Sequence, residues 1–129
     1  MDFIKHVLVA AALFVAIDAV WLSVVANKFY KKHLGYILAD KPNFVPAAIF
    51  YLLYMIGLVV FALDPALKQG SLNSAAGHGA LLGLVMYATY DLTNHATLKG
   101  WPAKVTYVDM LWGTTVTAVV STLGFVIFN

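Results

Sequence analysis

Four long apolar segments constrain the fold of this chain more than any other feature. They cover residues 4–26, 44–63, 76–98 and 103–128, and each is close to the roughly 20 residues that an α-helix needs to cross a bilayer. The chain is 62% hydrophobic and 11% charged, whereas a soluble domain is about 25% charged. Since helices satisfy their own backbone groups in lipid, we predict an all-α integral membrane four-helix bundle, formed by residues 1–129 as a single transmembrane domain.

The composition also excludes several classes of site. The chain contains no cysteine, which excludes disulfide scaffolds, thiolate metal sites and cysteine nucleophiles. The sequence contains no phosphate-binding loop, Ser-His-Asp set or His-Glu-x-x-His zinc motif. The net charge of +2 follows from lysines beside the spans rather than from a nucleic-acid-binding patch. We therefore expect no cofactor, no bound metal and no nucleic-acid partner.

The eight basic residues are all lysines, and their distribution predicts an orientation. Two of them, Lys5 and Lys68, lie on one side of the predicted spans. The other six flank the first and third connections: Lys28, Lys31, Lys32, Lys41, Lys99 and Lys104. Because lysine-rich connections stay in the cytoplasm, we predict that these two connections are cytoplasmic and that both termini lie outside.

The first connection has a helical pattern of its own at residues 28–39. Tyr30, Leu34, Ile37 and Leu38 recur at helical spacing, and the neighbouring lysines lie largely off that stripe. The pattern predicts either a short amphipathic helix in the membrane interface or a helical extension of the first span. We interpret the lysines as a positive-inside flank rather than as a specific site for anionic lipid.

Three of the six aspartates fall inside predicted spans: Asp18, Asp91 and Asp109. An ionisable group at the centre of a membrane helix costs about 2.5–3.5 kcal/mol on insertion scales, so each of them needs a reason. Counting the rise per residue places all three in the cytoplasmic half of the membrane. The short turn between the third and fourth spans makes these helices antiparallel neighbours, which places Asp91 opposite the region of Asp109.

Other polar and aromatic residues share faces with these acids. Tyr87, which precedes Asp91, and Asn94 and His95, which follow it, share a face with Asp91 by helical spacing along the third span. On the fourth span, Trp112 lies one turn after Asp109, and Trp21 stands in the same relation to Asp18. A carboxylate near an indole N–H gives each buried group a partner.

Two further features concern the scaffold. Gly79 and Gly83 have the spacing that permits close helix approach, and we expect them to pack inside the bundle. The second span contains no acid before Asp64, and Asp64-Pro65 is expected to end it. We interpret this helix as scaffold.

Three explanations of the acidic cluster stay open. It is a hydrogen-bond network that fixes the bundle, a cation site made by Asp91, Asn94 and Asp109, or a functional pocket. Interhelical hydrogen bonds in membranes average only about 0.6 kcal/mol, which compensates poorly for three buried acids. No recognised ligand spacing supports the cation site. We therefore favour the pocket, in which close carboxyls cannot all be ionised and at least one holds a proton.

The sequence resembles a family of small bacterial membrane proteins described only as predicted membrane proteins of unknown function. The resemblance covers nearly the whole chain. It depends most on Tyr90-Asp91-Leu92-Thr93-Asn94, the Gly100-Trp101-Pro102 turn and Asp109-Met110-Leu111-Trp112-Gly113. It implies a four-span protein of the bacterial inner membrane.

Our leading hypothesis is a membrane-embedded site that binds or modifies a lipid or other hydrophobic small molecule, walled by the first, third and fourth helices. Asp91 and Asp109 are the candidate acid–base pair, and Asp18, Tyr87, Asn94, His95 and Trp112 are candidate binding residues. The alternatives are a small proton-coupled carrier or channel component, and a non-catalytic assembly subunit. Membrane lipids are the expected partners, and the sequence leaves both catalysis and self-association open.

Overall fold

The computed structural model describes residues 2–129, and this part of the chain folds into four long helices without strands. The four helices are α1 (Asp2–Leu34), α2 (Phe44–Gln69), α3 (Leu72–Thr97) and α4 (Ala103–Phe128). The predicted all-α helical bundle is confirmed.

Three of these helices, α1, α2 and α4, are long and apolar enough to cross a membrane. Helix α3 is as long as α2 and α4, at 26 residues, but less apolar because it carries many of the polar side chains. Its outward surface still includes exposed Leu81, Val85 and Leu92. Exposed large hydrophobic side chains occur on all four helices, as expected for a surface in contact with lipid chains.

Helix α1 is longer than the predicted first span. It continues to Leu34 through a π-helical segment at Leu22–Ala26, and irregular structure follows in residues 35–43. Of the two structures predicted for residues 28–39, the protein therefore has the helical extension, which ends before Ile37 and Leu38.

The prediction that Asp64-Pro65 ends the second span is wrong. A second π segment, Val59–Leu63, is followed by a further α-helical stretch, Asp64–Gln69. Pro65 lies in the first turn of that stretch, where a missing N–H removes no necessary hydrogen bond. Helix α2 ends instead at Gly70, whose positive φ of 65° suits a helix C-terminus.

Helices α3 and α4 form the most extensive contact in the bundle. A side chain at Gly83 would collide with the backbone of Gly113 and with Thr117, and one at Gly79 would meet Thr117 and Ser121. The two helices thus approach closely through small residues, and the expectation that Gly79 and Gly83 pack inside the bundle is confirmed. This antiparallel register also aligns Asp91 with Asp109.

Candidate functional site

The Asp91 and Asp109 side chains face one another across the α3–α4 contact, close enough to share a hydrogen bond when one carries a proton. Asp91 is 0% exposed and Asp109 is 5% exposed. Apart from Asp109, no group among residues 2–129 offers a hydrogen bond to either carboxyl oxygen of Asp91. A buried pair of carboxyls is stable only when a proton or a cation reduces its charge, so this pair can exchange a proton or bind a polar group.

Tyr30 is hydrogen-bonded to this pair of acids. Its hydroxyl donates a hydrogen bond to Asp109 Oδ1 from the last turns of α1. The sequence pattern placed Tyr30 on an amphipathic stripe with Leu34, and nothing in that pattern connected it with Asp109. The signal that could have identified Tyr30 is its type, since a tyrosine hydroxyl at a span end often needs a partner when buried.

Asp18 belongs to a neighbouring polar group. Its Oδ2 accepts a hydrogen bond of 3.4 Å from the Tyr51 hydroxyl of α2. The indole of Trp112 lies beside Asp18, but its Nε1 makes no hydrogen bond within residues 2–129. Trp112 stacks on Trp21, with the ring centroids 4.3 Å apart and the planes 6° from parallel. The three acids therefore form one pair and one separate carboxylate.

A cavity of about 340 Å³ lies beside Asp109. This volume falls within the range of about 300–1,000 Å³ that is usual for small-molecule sites. The residues that line it are Phe50 of α2, Met86, Tyr87 and Tyr90 of α3, and Asp109 of α4. The predicted wall was wrong in one respect, because α2 lines this cavity and α1 does not.

The cavity faces outward between α2 and α3. The contact of α2 with α3 is concentrated in the π segment Val59–Leu63 and in the stretch Asp64–Gln69 that follows it, and the earlier part of α2 approaches α3 much less closely. Phe50 is 45% exposed and Tyr90 is 57% exposed, so both side chains border the opening. When these helices span a membrane, an opening between them faces the lipid chains.

Helix α2 is more than scaffold. Phe50 lines the cavity, Tyr51 binds Asp18, and the buried hydroxyls of Tyr54 and Thr117 are hydrogen-bonded to one another. The interpretation of this helix as scaffold rested on its lack of acids. The contacts above are made instead by aromatic side chains, two of which carry phenol hydroxyls.

Like Asp18 and Trp112, the candidate binding residues Asn94 and His95 lie outside the cavity, and they are nearer the lysine-rich end of the bundle. His95 Nδ1 is 3.3 Å from Thr106 Oγ1, and the same hydroxyl accepts a hydrogen bond of 3.0 Å from Trp101 Nε1. Asn94 lies beside the hydroxyl of Tyr90. Tyr87 is thus the one candidate binding residue that lines the cavity, with Asp109 of the candidate acid–base pair.

The opposite end of the bundle holds a polar pair that the sequence did not reveal. His6 Nδ1 and Asp64 Oδ1 are 2.7 Å apart, joining the first turns of α1 to α2. The Phe128 ring covers His6, with centroids 4.3 Å apart. Within residues 2–129, no group of three or more His, Cys, Asp or Glu side chains is arranged to hold a metal ion.

Fold and site together define a helical membrane protein with a pair of buried acids beside a laterally placed cavity. The family model described as "Predicted membrane protein (DUF2177)" matches residues 3–126, and the chain belongs to this family, whose function is unknown. The resemblance seen in the sequence is confirmed. Comparison with curated proteins and with solved structures gave no match.

Proposed function

We propose that this protein binds a lipid or another hydrophobic small molecule in the cavity between α2 and α3, with the polar group of that molecule held at Asp109. The observation that carries the proposal is that Asp109, one of two buried acids in contact, lines a cavity whose other walls are Phe50, Met86, Tyr87 and Tyr90. A buried polar group without a partner costs about 1–3 kcal/mol, and more when charged. A polar group of the ligand that binds the Asp109 carboxyl reduces this cost.

The surroundings of the pair favour a hydrophobic ligand over a soluble one. The cavity wall consists of Phe50, Met86, Tyr87 and Tyr90 apart from Asp109. Its opening lies beside exposed Phe50 and Tyr90. A molecule with an apolar chain can enter from the bilayer, place its polar end at Asp109 and leave the chain against these rings.

Within this proposal Asp91 and Asp109 have different roles. Asp109 lines the cavity and contacts the ligand, whereas Asp91 lies behind it and exchanges a proton with it. Tyr30 fixes the Asp109 carboxyl from the other side. Two carboxyls in contact also have the composition of a general acid–base pair, although binding alone requires no reaction.

Mass spectrometry of hydrophobic molecules that copurify with the protein tests this function. We expect a molecule that is retained by the unaltered chain and lost from Asp109→Asn and from Met86→Trp, which fills the cavity. Asp64→Asn is the matched control, since it removes a carboxylate at the far end of the bundle. Equal recovery from all four proteins would overturn the proposal.

A second candidate, a proton-coupled carrier, is favoured by a line of buried hydroxyls. Tyr87 lies beside Tyr54, Tyr54 is bonded to Thr117, and buried Ser121 follows one turn later. Beyond Ser121, however, Leu63 packs against Gly124, and this apolar contact interrupts the line. The test is the uptake of a solute into proteoliposomes that contain the protein. Proton-dependent uptake that is abolished by Asp91→Asn would favour a carrier over a binding protein.

A further inference from the structure

The walls of the cavity combine aromatic rings with one carboxylate. Phe50, Tyr87 and Tyr90 supply three rings, and Asp109 supplies the one acidic side chain. The face of an aromatic ring attracts a cation, by about 2 kcal/mol or more when the site is desolvated. A carboxylate attracts the same partner, so ring faces and acid select the same ligand charge.

The charge of the acid pair is not compensated from within the described chain. Within residues 2–129, the one carboxylate that contacts a basic side chain is that of Asp64, which meets His6 far from the cavity. His95, the histidine nearest in sequence to Asp91, is directed to Thr106 instead. Tyr30 donates a hydrogen bond to Asp109 but brings no charge. A buried carboxylate without a counter-charge is costly, and a ligand that brings a positive charge removes that cost.

We infer that the ligand of this site is a hydrophobic amine, whose ammonium or quaternary ammonium group binds at Asp109 among the rings of Phe50, Tyr87 and Tyr90. This inference rests on the proposed function and adds the chemical class of the ligand. A neutral alcohol satisfies one hydrogen bond at Asp109 but leaves the ring faces unused. A fatty acid places a third carboxylate beside Asp91 and Asp109, which is unfavourable in a low dielectric.

The test uses three probes of equal chain length: radiolabelled hexadecylamine, hexadecanol and hexadecanoate. Each is bound to nanodiscs that contain the protein, and binding to empty nanodiscs is subtracted. We expect the unaltered chain and the control Asp64→Asn to bind the amine about tenfold more tightly than the alcohol, and Asp109→Asn to lose this preference.

A second pair of variants keeps the inference testable if Asp109→Asn fails to fold. Tyr90 is 57% exposed, so the bundle tolerates substitution there. Tyr90→Phe keeps the ring and is expected to bind the amine as the unaltered chain does. Tyr90→Leu removes the ring face and is expected to weaken amine binding at least about threefold more than it weakens alcohol binding.

The outcomes separate this inference from the proposed function. Equal binding of the three probes, or a preference for alcohol or acid, overturns the amine and leaves a hydrophobic site in place. Binding of none of them above empty nanodiscs overturns the proposed function as well.

A further arm identifies the source of the amine. Hexadecyltrimethylammonium is compared with a single-chain phosphocholine lipid of the same length. Equal binding of the two supports a lipid headgroup as the natural ligand. Binding of the simple ammonium alone supports a free long-chain amine.

Discussion

The Tyr30 hydroxyl donates a hydrogen bond to Asp109, a residue 79 positions away on the last helix. The π segment Leu22–Ala26 makes this contact possible. In a regular α-helix each residue turns by about 100°, which would place Tyr30 about 120° around the axis from Asp18. One residue accommodated in a π bulge removes about 100° of that rotation and brings both side chains onto the buried face.

Tyr30→Phe tests the contribution of this hydrogen bond to stability. The ring still packs, but Asp109 loses its donor inside the bundle, so we expect the free energy of unfolding to fall by about 1.5–3 kcal/mol. Denaturant titration in detergent, followed by circular dichroism, measures the change. Tyr107→Phe is the matched control because the Tyr107 side chain is 68% exposed, and equal effects of the two variants would show that Tyr30 contributes no specific bond.

Deletion of Val24 tests the role of the π segment. This side chain is 69% exposed, so its removal costs little packing, but a regular α-helix then turns Tyr30 about 100° from its present direction. We expect the deletion to lower the free energy of unfolding. In that background Tyr30→Phe should have no further effect, because both changes remove the same interaction. An additive double variant would show that Tyr30 reaches Asp109 without the segment.

The helical bundle and the meeting of Asp91 with Asp109 were predictable from the sequence for the same reason. Both follow from regular helices and a short turn, which set the antiparallel register before any side chain is placed. The close approach at Gly79 and Gly83 follows from the absence of side chains. These features depend on local spacing, which a sequence states directly.

Features that depend on irregular backbone or on phenols were not predictable in this way. A π segment has no characteristic amino-acid composition, so its position could not be predicted. The helix face occupied by Tyr30 therefore could not be assigned by counting residues. The sequence pattern predicts Asp18 and Asp109 in one cluster, yet Asp18 is bonded to Tyr51 across a helix interface whose register no short turn fixes. His6 and Asp64 meet for the same long-range reason.

Asp64→Ala tests how much the polar pair at the far end contributes. The pair is partly buried, with side-chain exposures of 15% for His6 and 32% for Asp64. We therefore expect a moderate loss of about 0.5–1.5 kcal/mol in the free energy of unfolding. Unfolding in the same detergent measures it, and Asp40→Ala, at an exposed position of the α1–α2 connection, serves as control. No difference between these variants would show that solvent screens the pair completely.

Gly83→Ala and Gly77→Ala separate close packing from helix propensity. Both residues lie within α3, and in an exposed helix alanine is more favourable than glycine by about 0.8–1.0 kcal/mol. A methyl group at Gly77 meets nothing within 4 Å, so we expect Gly77→Ala to be neutral or stabilising. At Gly83 the methyl collides with the Gly113 backbone, which cannot move without separating α3 from α4, so we expect the free energy of unfolding to fall by about 1–3 kcal/mol.

Since the same separation parts Asp91 from Asp109, Gly83→Ala should also weaken ligand retention, whereas retention by Gly77→Ala should equal that of the unaltered chain. Equal stability of the two variants would show that α3 and α4 can separate at Gly83 without cost, and the register that aligns the acid pair would then need another cause.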